Sequence, residues 1–523
     1  MAPFLLAAFA SALLAAAPAR GTVDVLDRFH TWFERLKKGK ESLENRPEAE
    51  LRTMISDLRT TWAIDPVRET DIACALLDFL GWCAPAANVL GAQSRANEAR
   101  ELSLEALRAH VDPEFTRWIT RDVLAVRSQP LERRVAALAV LAPDHGPALL
   151  LPLLSCAREE EPRIRIPALE QLVGWDDGGV HGLFLDELAR GDSAQGDPVH
   201  VLGSQNTGAW SLAEAHFGKV LLPPLSPFAA RLAAIVERGL ASSDWREVSR
   251  AVSLSKPLDA EAVIPFLIEA LRKWKAREEA GVQALRVEME ILRALENRSG
   301  RKLGLFPADW SAWWSSFSRG EIKGTGPATG RYREGTRPGF FGLHPATDRV
   351  TFVIDRSGSM DTALVDGTDG PKRTRWQEAV EQLLGFLDGI GTHARFSVIL
   401  FHEYPEEWRP TLLDANPENK KSARVWLTGN HPGGGTALQG AIARALRIAP
   451  DGTPDLAVLE ADTVIVLCDG ETAEGPGWVE PFLRAANQRA RVVFHCVQIG
   501  ASGDGTLEKL AAGSGGDFVR VDG

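Results

Sequence analysis

Hydrophobic and polar residues follow two different rhythms along this chain, and the change comes near residue 349. Over residues 22–317, apolar residues recur every three or four positions, as in "IACALLDFLGW" and "VIPFLIEALRKW". This spacing places them on one face of a helix, and Pro and Gly fall where the helices are predicted to end. We therefore predict an all-α region over residues 22–317.

Three segments of the helical region echo one another: residues 134–154, 165–188 and 249–271. Each reads as a helix with a leading Arg, a break that contains Asp, and a second, more apolar helix. Paired helices repeated in series are typical of an α-solenoid, and these units resemble HEAT repeats. Residues 22–125 match the pattern poorly, so an irregular helical bundle is the alternative.

The helical region is predicted to end in a helix rich in tryptophan. Trp310, Trp313 and Trp314 have helical spacing, which favours a capping helix that packs its indoles on the last repeat over an aromatic binding box. Residues 318–348 follow, rich in Gly, Pro and Thr. This composition predicts a linker and a domain boundary.

Beyond the linker, short apolar runs alternate with amphipathic segments. The predicted strands are residues 349–355, 394–402, 461–469, 491–500 and 517–523, with a short edge strand at 408–415. The predicted helices are residues 376–390, 436–449, 477–490 and 506–513. Near-continuous apolar strands between helices predict a doubly wound, Rossmann-like α/β domain over 349–523, with a parallel sheet covered on both faces. Ligands of such sheets bind beyond the carboxyl ends of the strands.

Composition and charge narrow the class of protein. The chain has 523 residues and a formal net charge of −11, which argues against non-specific nucleic-acid binding.

An apolar stretch ending in Ala17-Pro18-Ala19 predicts a signal peptide over residues 1–19, cleaved after Ala19, and hence a periplasmic or extracellular protein. A buried N-terminal helix or a membrane anchor is the alternative. The five cysteines show no metal-binding spacing; a bond between Cys468 and Cys496 is left open but not favoured.

Oxygen-bearing side chains collect at the predicted strand ends. Asp355 ends the first strand, Ser357 and Ser359 follow at alternate positions, Thr436 follows a glycine run, and Asp469 ends another strand. All three segments finish at the same edge of the predicted sheet. Two carboxylates and three hydroxyls, with no Cys or His, suit Mg²⁺, with Mn²⁺ or Ca²⁺ as alternatives.

Together, "DRSGSM", the threonine of "GGGT" and the aspartate of "LCDGE" resemble the von Willebrand factor A domain with its metal-ion-dependent adhesion site. The resemblance covers residues 348–523 and implies that Asp355, Ser357, Ser359, Thr436 and Asp469 hold the metal. It also implies a protein ligand that completes the metal's coordination with a carboxylate. The simpler readings are a helix N-cap at Asp355 and a phosphate cradle at 433–435, which lacks the P-loop lysine.

Two departures from the family pattern stand out in the sequence. A long segment over residues 361–375 carries Asp361, Asp366 and Asp369, which would shield the metal, line the partner surface or belong to a solvated loop. In addition, the sequence stops at "VRVDG" without the closing helix that many such domains have.

The sequence predicts an exported, non-enzymatic protein that binds a protein partner through Mg²⁺ and presents its A-type domain on a helical scaffold. Hydrolysis has little support, because Ser357 lacks a G-x-S-x-G elbow and "HEYPE" is not H-E-x-x-H. A cytoplasmic assembly or metal-insertion factor that works beside an ATPase is the main alternative. An enzyme whose metal activates water is the least supported.

Overall fold

The computed structural model describes residues 24–43, 47–64, 68–87, 95–142, 146–193, 207–321, 339–364, 373–449 and 452–521. The predicted signal peptide, residues 322–338 of the predicted linker, Asp366 and Asp369 lie outside these ranges. The chain divides into two compact units, one up to Gln171 and one from Leu172 onward. The second unit therefore contains helices as well as the sheet, and the predicted boundary at 318–348 stays a prediction.

The first unit is helical. Its helices are α1 Val25–Lys37, α2 Glu48–Ile64, α3 Glu69–Ala87, α4 Arg95–Arg108, α5 Pro113–Trp118, α6 Leu131–Leu141, α7 Leu150–Cys156 and α8 Pro162–Leu172. Asp24 and Asp112 cap the amino ends of α1 and α5 with their side chains, as short polar residues do when the first helical N–H groups lack partners. Within the described residues, no helix in either unit has the length and apolarity to cross a membrane.

The second unit opens with more helices: α9 Gly178–Ser193, α10 Thr207–Phe217, α11 Pro227–Leu240, α12 Trp245–Leu254, α13 Ala260–Glu279, α14 Leu285–Ser299 and α15 Pro307–Ser318. Two of the echoed segments show two helices around a break that contains Asp: α8 and α9 around Asp176, and α12 and α13 around Asp259. Trp310 of α15 is fully buried and donates a hydrogen bond to the Gly304 carbonyl at 2.8 Å. This burial fits the predicted capping helix.

The α/β part follows from residue 349. Its strands are β1 Arg349–Asp355, β2 Arg395–Phe401, β3 Pro405–Glu407, β4 Leu413–Asp414, β5 Thr463–Cys468, β6 Val493–Ile499 and β7 Phe518–Val521. Its helices are α16 Arg375–Gly389, α17 Pro417–Thr428, α18 Leu438–Ala445, α19 Val479–Phe482, α20 Gln488–Ala490 and α21 Thr506–Ser514. The strand order is β3-β2-β1-β5-β6-β7, and β4 also pairs with β2. The order reverses direction between β1 and β5, which makes their carboxyl ends the switch point of the sheet.

Helices cover both faces of the sheet, as predicted. Phe352 and Ile354 of β1 pack against α16 and α17, whereas Val353 points to the other face with α18, α19 and α21. The five long strands, β1, β2, β5, β6 and β7, are parallel, but β3 and β4 pair antiparallel with β2. The short edge strand predicted at 408–415 is therefore present only in part, as β4, and β3 precedes the predicted segment. Pro410 interrupts that segment, and only Leu413–Asp414 pair with β2 there.

Helices of the second unit also pack on the amino ends of the strands. Asp348, just before β1, accepts hydrogen bonds from the backbone N–H groups of Ala284 and Leu285 at 2.9 and 3.2 Å, and so caps α14. Arg246 donates to the Leu459 carbonyl at 2.8 Å, ahead of β5. These contacts lie at the edge of the sheet opposite Asp355, which ends β1. These helices therefore pack against the amino ends of the strands, at the edge of the sheet opposite the predicted site.

Candidate metal centre

Three loops at the carboxyl ends of the strands are joined by backbone hydrogen bonds. Gly358 N donates to the Gly434 carbonyl at 3.0 Å, and Gly433 N donates to the Arg356 carbonyl at 2.8 Å. Ala473 N donates to the Thr436 carbonyl at 3.0 Å, which links the glycine loop to the loop after β5. The loops that carry the five predicted ligands are thus held together at the switch point of the sheet.

The two aspartates of the prediction lie close together and are buried. Asp355 is fully buried at the end of β1, and Asp469 follows β5 with 7% of its surface exposed. One carboxylate oxygen from each, together with the Cys468 sulfur, forms a group whose atoms all lie within 4.8 Å of one another. Two carboxylates this close repel each other, and burial makes their charge more costly.

The two predicted serines lie next to each other, and Ser357 contacts Asp355. Ser357 N donates to Asp355 Oδ1 at 2.7 Å, and the Ser357 and Ser359 hydroxyl oxygens are 2.9 Å apart. Ser357 is buried, whereas Ser359 is exposed in a short 3₁₀ turn. Thr436 is half-buried and precedes α18. The hydrogen bonds to Gly433 and Gly434 bring its loop to that of Ser357, and the helix begins at Leu438 rather than at Thr436.

One further side chain, which is not among the predicted ligands, contacts Asp355. Cys468 is the last residue of β5, and its thiol donates to Asp355 Oδ2 at 3.2 Å. Burial and the neighbouring Asp355 charge raise the pKa of this thiol well above its usual range. Cys468 is therefore a protonated hydrogen-bond donor beneath the site. The sequence offered no signal for it beyond its position next to Asp469. Cys468 and Cys496 are both free, so the disulfide left open above does not form.

The burial and the raised pKa of Asp355 are consistent with a site that binds a cation. Burial raises the pKa of Asp355 to about 6, although the hydrogen bonds from Ser357 and Cys468 oppose this rise. A buried carboxylate pair is unfavourable unless a positive charge compensates it. Arg375, 3.4 Å from Asp469, compensates part of this charge. A divalent cation that prefers oxygen ligands would compensate the rest, and the carboxylates and hydroxyls offer those ligands.

Charged residues also border the site on the β2 side. Glu403 accepts a hydrogen bond from Gly435 N at 3.1 Å and is 2.8 Å from His402 Nδ1. The hydrogen bond from His402 lowers the pKa of Glu403. His402 directly follows β2, the strand-end position that the sequence indicated. Tyr404 is 71% exposed beside them and offers an aromatic surface at this rim.

A family model for the von Willebrand factor type A domain matches residues 349–519, the segment that forms this sheet and its loops. Residues 349–519 are a von Willebrand factor type A domain. This identification agrees with the resemblance seen in the sequence, and the domain type indicates protein–protein interaction. The A domain accounts for about a third of the chain, so the family match does not extend to the helical region.

Curated relatives match a quarter to a third of this chain. Human inter-alpha-trypsin inhibitor heavy chain H4 is 29% identical over 186 residues, which cover 34% of this chain and 19% of the human protein. Bovine inter-alpha-trypsin inhibitor heavy chain H1 is 33% identical over 136 residues, 25% of this chain and 14% of the bovine protein. The chain thus spans less than a fifth of these relatives.

Solved structures with a similar segment include a von Willebrand factor type A protein from Catenulispora acidiphila. It is 26% identical, with a TM-score of 0.27, and the match covers 34% of this chain and 39% of that one. A conserved hypothetical protein, BatB, from Bacteroides thetaiotaomicron is 22% identical, with a TM-score of 0.26, over 33% of this chain and 89% of its own.

Proposed function

We propose that this chain is an exported, non-enzymatic protein that binds a protein partner through a divalent cation in its A domain. The observation that carries the proposal is the meeting of two buried carboxylates with the Ser357 and Ser359 hydroxyls at the switch point of the sheet. Such a site has negative charge that a cation would compensate, and it has oxygen atoms that would bind the cation.

The residues that would hold the cation are Asp355, Ser357, Ser359, Thr436 and Asp469. Mg²⁺ suits them best because it prefers oxygen ligands in octahedral geometry and keeps several waters; Mn²⁺ or Ca²⁺ would fit the same ligand types. A cation with few carboxylate ligands remains a good Lewis acid, so an acidic side chain of a partner protein would take an open position. Cys468 would remain beneath the site as a hydrogen-bond donor to Asp355.

The helices of the second unit would serve as the scaffold that presents this site. They contact the amino ends of the strands, for example between Arg246 and the Leu459 carbonyl, so the candidate centre faces away from these contacts. HEAT-like repeats would add a long surface for proteins. The proposal of export rests on the predicted signal peptide, residues 1–19. Sequencing of the amino terminus of the mature protein tests it. A first residue of Arg20 supports export, whereas an uncleaved signal peptide favours the cytoplasmic assembly factor.

Calorimetric titration of the full chain with Mg²⁺ tests the metal site. We expect one binding event in the parent protein and none in Asp355→Ala, because this change removes the most buried ligand. At a Mg²⁺ concentration of 100 Kd, bound metal should stabilise the parent by about 2.7 kcal/mol and the variant not at all. Thermal unfolding with and without metal measures this difference.

Asp414→Ala is the matched control. Asp414 is an exposed aspartate on β4, near the amino end of β2, and its nearest cation is Arg395 at 3.5 Å. We expect its Mg²⁺ affinity to equal that of the parent. Equal affinities in all three proteins would contradict the proposed site, as would the lack of Mg²⁺ binding by the parent protein.

A further inference from the structure

A guanidinium group lies beside one of the proposed ligands. Arg375 Nη1 is 3.4 Å from Asp469 Oδ2, and the side chains are 20% and 9% exposed. Arg375 comes from the start of α16, 94 residues before Asp469 in the sequence. The candidate centre therefore contains a built-in positive charge next to its two carboxylates.

The surrounding backbone fixes Arg375 in this position. Arg375 N donates to the Thr362 carbonyl at 3.0 Å, and Thr374 and Gln377 form a capping box around the first turn of α16. Gly500 leaves room for the guanidinium, since a Cβ atom at that residue would come within 2.7 Å of Arg375 Nη2. Gly500 also has a φ of +132°, which other residues rarely adopt. Two segments thus form the space that holds the side chain against Asp469.

The charges of this group suggest what Arg375 does. Asp355 and Asp469 carry two negative charges when ionised, and Arg375 neutralises one of them. We propose that Arg375 is a positioning residue that sets the net charge of the metal centre: it lowers the affinity for the divalent cation and raises the attraction of the bound cation for a carboxylate ligand. This inference rests on the proposed function, because it assumes that the cation binds at Asp355 and Asp469.

Loss of the Arg375 guanidinium should change the metal affinity and the carboxylate affinity in opposite directions. Without the guanidinium, Asp469 would be free to contribute its full charge to the cation, so the metal would bind more tightly. The filled site would then carry one positive charge less, so an anionic ligand would bind more weakly. A residue with only a structural role would change both affinities in the same direction, because its loss would misplace the ligands.

The first experiment measures Mg²⁺ affinity by calorimetric titration of the full chain. We expect Arg375→Gln to bind Mg²⁺ about fivefold more tightly than the parent, the size of effect that one partly exposed ion pair supports. Arg375→Met, which keeps the apolar stem, should show the same gain, and Arg375→Lys should retain the affinity of the parent. Far-UV circular dichroism establishes that each variant is folded.

Arg373→Gln is the matched control on the same segment. Arg373 is 52% exposed and pairs with Glu378 and Glu381 of α16, away from Asp469. Its removal should leave Mg²⁺ affinity within about twofold of the parent, since an exposed pair outside the site contributes little. A gain as large in Arg373→Gln as in Arg375→Gln would mean that general surface charge is responsible, and it would overturn the inference.

The second experiment uses acetate as the carboxylate probe. Mn²⁺ replaces Mg²⁺, and water-proton relaxation follows acetate as it displaces water from the bound ion. We expect acetate to bind Arg375→Gln about fivefold more weakly than the parent. Unchanged or weaker metal binding in both Arg375→Gln and Arg375→Met, or tighter acetate binding, overturns the inference and leaves the proposed function standing. The failure of the parent to bind either metal overturns both.

Discussion

Glu288 provides a test of how the helices support the A domain. It lies on α14, is fully buried, and has Lys275 Nζ 3.6 Å from its Oε2 atom. Burial raises the pKa of Glu288 to about 7, and the charges of Glu278 and Asp348 add to this rise while Lys275 opposes it. The fold therefore favours the protonated carboxyl, and its contribution to stability is lost as the pH rises from about 4.5 to 7.

Glu288→Gln removes this ionisation and keeps the shape of the side chain. With a pKa of about 7 in the folded chain and an ordinary value of 4.5 in the unfolded chain, ionisation costs the parent about 0.8 kcal/mol at pH 5 and about 3.3 kcal/mol at pH 8. The stability of the variant relative to the parent should therefore increase by about 2.5 kcal/mol between these pH values. The difference between variant and parent cancels the titration of groups that do not interact with Glu288.

Urea unfolding of the full chain at pH 5 and pH 8, followed by tryptophan fluorescence, measures this difference. Glu290→Gln is the control on the same helix: Glu290 pairs with Arg286 at 3.0 Å, and the two side chains are 24% and 8% exposed, so loss of this largely buried pair should cost about 2 to 3 kcal/mol at both pH values. If the stability of Glu288→Gln relative to the parent is the same at both pH values, Glu288 is not buried as described, and our account of this support is wrong.

Two further predictions concern the glycine loop and the contact between the helices and the domain. Gly434→Ala should weaken Mg²⁺ binding at least about tenfold in calorimetric titration. The reason is that Gly434 has a φ of +83°, and a Cβ atom there would come within 2.6 Å of Glu403. Gly433→Ala is the control, because a Cβ atom there meets open space, and it should bind Mg²⁺ as the parent does. Arg491→Ala should lower the free energy of unfolding, measured in urea, by about 2 to 3 kcal/mol. The change removes a largely buried ion pair in which Arg491 donates to both carboxylate oxygens of Glu214, at 2.9 and 3.0 Å. An unchanged urea midpoint would contradict this prediction.

The strand ends were predictable from the sequence because a buried parallel strand needs an unbroken apolar run. Such a run stops visibly at Asp355 and Asp469, and parallel strands bring their carboxyl ends to one edge. The contact of Ser357 with Asp355 agrees with the alternation of side chains along an extended chain, whereas Ser359 lies in a 3₁₀ turn and contacts Ser357 instead. The predicted helix limits were less accurate, as at Leu438, because a loop that follows glycines can delay the first helical turn.

Other features depend on distances that no local pattern reveals. Arg375 reaches Asp469 from the start of α16, and its sequence neighbourhood resembles any helix start with a charged residue. Cys468 looked like a buried core residue, which it also is, and only the three-dimensional structure shows its thiol at Asp355. Helix Pro417–Thr428 was not predicted, although Asn416 followed by Pro417 is a recognised start signal, because its polar residues mask the apolar stripe.

The location of a bound Mn²⁺ ion tests the central claim most directly. Anomalous diffraction from crystals of the full chain grown with Mn²⁺ would locate the ion without reference to any partner. Our account predicts one strong peak at the switch point, about 2.0 to 2.2 Å from hydroxyl oxygens of Ser357 and Ser359. A peak instead at His402, Glu403 and Glu406 on the rim, with none beside Asp355, would contradict it.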